Sequence, residues 1–111
     1  MPTRDVSETI QARLKRDPEL CRLTLRSALE ELLDGEVEVA KAMLRDYVIA
    51  RMGYVGLGTL TGKTPQSLAR MLGRTGNPQT RNLFEVIRVL QEHEGVRAKV
   101  RFTKRTVKEA A

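Results

Sequence analysis

The chain has no tryptophan, one cysteine, one histidine and only four aromatic residues among its 111. A single cysteine, Cys21, excludes an intrachain disulfide. Its neighbours Leu20, Leu23 and Leu25 mark it as a small buried hydrophobe rather than a nucleophile. The lone His93 cannot build a usual zinc site without cysteine or a second histidine, and no orienting partner for a hydrolytic triad is identifiable. No apolar run approaches the roughly 18–20 residues of a membrane span, and no signal-peptide core is visible. These absences predict a cytoplasmic protein without metal, cofactor or catalytic site. The scarcity of aromatics suits a small helical domain with an aliphatic core.

Basic charge is plentiful, and it is unevenly placed. Residues 1–52 hold nine Lys/Arg against ten Asp/Glu, whereas residues 53–111 hold eleven against four. The second half therefore carries a net +7 of the chain's +6 total, the electrostatic footprint expected for a polyanion partner. The glycine-rich stretch from Gly56 to Thr64 superficially suggests a phosphate-binding loop. That pattern requires glycine at position 57, which is Leu57, and no strand precedes it.

Taken in order, residues 1 to 4 are expected to be frayed, and an amphipathic helix follows from Asp5 to about Arg16. Asp17 caps a second helix that begins at Pro18, runs to about Leu33 and stops at Asp34-Gly35. A third helix, from about Glu36 to Met52, has Val37, Ala40, Leu44 and Val48 on its core face. Glu38, Lys41, Arg45 and Asp46 are assigned to its solvent face, and Gly53 is its expected cap. The next stretch organises the rest. Two short helices are separated by the turn Thr61-Gly62-Lys63-Thr64, with Gly62 able to take positive φ and Thr64 placed to cap a helix starting at Pro65. Gly58 lets the two helices cross closely, while Leu57, Leu68 and Met71 point into a shared core. Thr80 is expected to cap a last helix built on Leu83, Val86, Ile87 and Leu90, ended by Gly95.

A helix-turn-helix with polar and basic residues on its second helix is a DNA-reading element. Gln66 matches the two edge groups of adenine and Arg70 the two acceptors of guanine, with Ser67 able to meet a base or a phosphate. Lys63, Thr64, Arg74, Asn77, Arg81 and Asn82 flank that helix as phosphate contacts, which fix register without reading sequence.

The run GKTPQSLARMLGRTGNPQTRNLFEVIRVL, from Gly62 to Leu90, resembles the helix-turn-helix of the Xre/lambda-repressor-like group. It is especially similar to antidote proteins of HigA type from toxin–antitoxin modules. Shared features are the turn glycine, the capped second helix, the Gly76-Asn77-Pro78 loop end and the closing helix. The resemblance covers roughly residues 36 to 102. It implies an all-α domain of lambda-repressor-like fold and a regulator that binds double-stranded DNA. It further implies a partner toxin of RelE/HigB type and repression of the module's own operon. Gly56 and Gly58 depart from relatives that carry alanine at the crossing. A stand-alone phage-type repressor, or an interaction module that neutralises a partner, is the alternative.

After Gly95 the period changes. Val96, Ala98, Val100 and Phe102 alternate with Arg97, Lys99 and Arg101, which predicts a strand with one apolar and one basic face. A lone strand leaves its backbone groups unpaired, so Val96–Phe102 is expected to pair across the two-fold axis of a homodimer. The expected organisation is an N-terminal helical extension (1–35), a DNA-binding domain (36–95), the strand (96–102) and a mobile basic tail (103–111).

Overall fold

Three of the four prolines stand at the first residue of a helix, where a missing N–H costs nothing. The computed structural model describes residues 2–106; Met1 and residues 107–111, the end of the expected tail, lie outside them. Among the described residues there are six α-helices: α1 (Pro2–Leu14), α2 (Pro18–Leu33), α3 (Val37–Arg51), α4 (Gly53–Thr61), α5 (Pro65–Met71) and α6 (Thr80–Glu94). Helix α1 begins at Pro2, where fraying is expected, and ends two residues short of Arg16.

Local chemistry accounts for most boundaries. The Asp17 carboxylate accepts from the Leu20 N–H at 3.1 Å, and Pro18 takes the first position of α2. Met52 rather than Gly53 closes α3, and Gly53, at φ +70°, opens α4 without an intervening loop. Gly95 ends α6 in the left-handed region. Thr80 is not the cap of α6 but its first residue. Gln79 occupies the cap position and makes no side-chain cap bond.

Helix α3 is the hub, packed against α1, α2 and α4, while α6 closes the assembly against α2 and α4. One continuous apolar cluster runs from Leu14 through Cys21, Leu25 and Ala28 to Leu44 and Val48, then to Leu57, Leu68, Leu72 and the α6 residues Val86 and Leu90. The first two helices therefore share the core of the remainder. Cys21 is fully buried, and its Sγ–H donates to the Leu14 carbonyl at 3.1 Å. Where α3 meets the end of α6, the Tyr47 hydroxyl donates to Glu94 Oε1 at 2.5 Å, and Arg51 Nε lies 3.8 Å from the same oxygen.

Residues 96–106 form no strand. An extended segment needs a second one to complete a ladder, and no described residue offers it. Val96 packs against the core, whereas Ala98, Val100 and Phe102 are exposed.

Candidate nucleic-acid interface

The turn between α4 and α5 is built by backbone geometry and then fastened by side chains. Gly62 takes φ +74°, and its N–H returns to the Gly58 carbonyl at 2.8 Å. A Cβ on Gly58 would stand 2.7 Å from the Lys63 carbonyl oxygen, so the chain passes over this position only because it carries none. Thr64 is extended, its hydroxyl accepts from the Ser67 N–H at 3.1 Å, and the Ser67 hydroxyl donates back to the Thr64 carbonyl at 3.0 Å.

These bonds decide which face of α5 is offered to solvent. Leu68 is fully buried and Met71 nearly so, while Gln66 and Arg70, one helical turn apart, are both exposed. Arg74, Asn77 and Arg81 continue the exposed set along the connection and onto α6. Four expected contact residues are already engaged, Thr64 among them through its cap bond. Ser67 is half-buried with its hydroxyl in the cap. The Lys63 ammonium donates to Asn82 Oδ1 at 3.2 Å and lies 3.9 Å from Glu85 Oε1. The Lys63–Asn82 pair thus ties the turn to α6, and Glu85 offsets part of its charge.

Two basic residues assigned to a solvent face are in fact structural. Lys41 is fully buried: its Nζ donates to the carbonyls of Gly73 (2.9 Å) and Gly76 (2.5 Å) and sits 3.1 Å from Glu38 Oε2. Arg45 Nη1 donates to the Leu72 carbonyl at 2.6 Å. A helix end leaves carbonyls without intrahelical partners; here Arg45 holds that of the α5 C-cap, Leu72, and Lys41 holds those of Gly73 and Gly76 in the turn beyond it. The same turn is tight enough that a Cβ on Gly76 would fall 2.0 Å from the Arg70 carbonyl oxygen. The signal available in the sequence is positional, since Lys41 lies on the same stripe as Val37, Leu44 and Val48.

The arrangement holds Gln66 and Arg70 one turn apart on the exposed face of a short helix, with exposed Arg74 and Arg81 beside it. Among the described residues, no group of His, Cys, Asp and Glu could hold a metal ion, and no helix is long and apolar enough to cross a membrane. Comparison of the chain with protein-family models, curated proteins and solved structures gives no match.

Proposed function

We propose that the chain is a sequence-reading regulator of double-stranded DNA, with α4, the Gly62 turn and α5 acting as a helix-turn-helix. The observation that carries this reading is the paired exposure of Gln66 and Arg70 on a helix whose opposite face is buried. The basic second half of the chain supports it, because binding to a duplex is dominated by phosphate neutralisation. One such helix reads only a few base pairs, so two copies on a two-fold site are expected, about 34 Å apart along the duplex. The narrower form of the reading, an antitoxin repressing its own operon, is supported by the resemblance of Gly62–Leu90 to HigA-type antidotes. A neighbouring reading frame for a RelE/HigB-like toxin is its test; a neighbour of another kind removes it.

Selection from random duplexes tests the main reading. The expected result is a preferred site bound by two copies, with log affinity falling by about 0.9 per phosphate contacted for each unit of log salt. Replacing Arg70 by Ala is expected to cost roughly 1–3 kcal/mol on that site and to relax one base position. Arg81→Ala is expected to weaken all sequences alike and to make the salt slope shallower by about one. Recovery of no preferred duplex, with binding insensitive to salt, overturns the reading.

A further inference from the structure

A groove of about 670 Å³ runs between α2 and α6, away from α5. Leu25, Leu29 and Leu32 line one side and Ile87 the other, with Val96 and Val100 of the extended segment along its length. Leu33, Phe84 and Val100 leave 70%, 56% and 67% of their surface exposed there. An exposed apolar cleft of this kind marks an interaction surface.

Its rim is basic. Arg22, Arg26, Arg88, Arg97, Lys99 and Arg101 line it, and Glu30 is the one acidic residue lining it among those described. Arg22, Arg26 and Arg88 already pair with Glu19, Glu30 and Glu92. Arg97, Lys99 and Arg101 have no acidic partner among the described residues. Their backbone is open as well. The Val96 and Ala98 N–H groups are held by Gln91, at 2.9 and 2.7 Å, but none of the hydrogen bonds among described residues reaches Lys99 to Phe102. From Lys99 to Phe102 the backbone groups are thus open among described residues, between three cations that line the apolar cleft.

A second copy of the same segment fits here poorly. In the antiparallel register centred on Lys99, that residue faces its own copy and Arg97 faces Arg101, and like charges directly opposite one another are destabilising. A basic partner meets the same repulsion. Duplex DNA satisfies the cations but leaves Leu29, Phe84 and Val100 uncovered. We propose that the groove and the edge of residues 96–102 dock an extended acidic segment of a partner protein by strand addition. Carboxylates at alternate positions meet Arg97, Lys99 and Arg101, and the intervening apolar side chains enter the cleft. The proposal stands independently of DNA reading by α5.

The test is a titration of the isotope-labelled chain with a capped heptapeptide of alternating glutamate and valine, followed by amide chemical shifts. A lysine–valine peptide of the same length is the control. Expected shifts are confined to Val96–Phe102 and to Leu29, Phe84 and Ile87, and the control gives none. The triple variant Arg97→Glu, Lys99→Glu, Arg101→Glu is expected to weaken the acidic peptide about tenfold or more, because three surface pairs are lost and repulsion replaces them. Leu29→Gln is expected to weaken it with the charges intact, and helical circular dichroism verifies that each variant is folded. Absence of shifts, or equal response to both peptides, overturns the proposal. Shifts of the same amides on simple concentration assign the groove to a second copy. Displacement of the peptide by duplex DNA assigns it to nucleic acid. Either result also overturns it.

Discussion

At the scale of single residues, the buried cation and the buried phenol carry the most testable chemistry. Lys41→Met keeps the length of the side chain but leaves the Gly76 carbonyl without its donor and the Gly73 carbonyl with the Gly76 N–H alone. The expected loss is about 1–3 kcal/mol of unfolding free energy, read by urea denaturation. Tyr47 has its pKa raised well above the ordinary 10.0, chiefly by burial and then by its hydrogen bond to Glu94. Burial displaces Tyr54 and Cys21 in the same direction. A raised folded-state pKa means that the unfolded chain releases its proton first. The stabilisation is thus complete below about pH 9, begins to fall as the Cys21 thiol ionises in the unfolded chain, and falls further above about pH 10 through the two tyrosines. Tyr47→Phe is expected to cost about 1–2 kcal/mol at neutral pH and to flatten the alkaline decline. Ultraviolet difference absorbance offers a direct check, because Tyr47 and Tyr54 are the chain's only tyrosines and both are expected to ionise late.

At the scale of elements, α4 shows what a sequence can and cannot announce. Each glycine inside a helix costs roughly 1 kcal/mol relative to alanine, which makes Gly56 and Gly58 look like equal weaknesses. They are not equivalent. A Cβ on Gly56 meets the Met52 Cβ at 3.0 Å, a crowding that a shift of a few tenths of an ångström relieves, whereas one on Gly58 overlaps the Lys63 carbonyl oxygen at 2.7 Å, and backbone must move. Gly58→Ala is therefore expected to lower the thermal midpoint clearly more than Gly56→Ala, with scanning calorimetry giving the order. Equal effects would mean that the turn at Gly62 moves aside freely. The caps at Asp17 and Thr64, the stops at Gly62 and Gly95, and the core roles of Leu57, Leu68 and Met71 were legible because each is decided within a few residues. Lys41 and Arg45 were not, because their partners are carbonyls 27 to 35 positions away. A helical wheel places a lysine among apolar residues without saying which acceptors wait there. The alternation of Val96–Phe102 likewise predicts a strand, but a strand needs a second one, which no described residue supplies.

At the scale of the whole molecule, charge and packing divide the chain differently. The net charge changes sign near position 52, yet one apolar core spans the boundary, so the near-neutral half and the basic half are expected to unfold as one body. Denaturation followed by circular dichroism and by tyrosine fluorescence is expected to give coincident transitions; separated midpoints would show a boundary the core does not have. The anchoring of the α5 terminus has a further consequence, for motion. A helix of seven residues has almost no stability of its own, and a surface element of that size would ordinarily open often and alone. Here the carbonyl of its C-cap, Leu72, is held from α3 by Arg45, the turn that follows is held by the buried Lys41, and its start is tied to α6 through Lys63 and Asn82. The amide of Leu72, bonded to the Leu68 carbonyl, should therefore exchange with deuterated solvent on the timescale of the α3 amides rather than of a loop. In Lys41→Met it should exchange early while α3 stays protected.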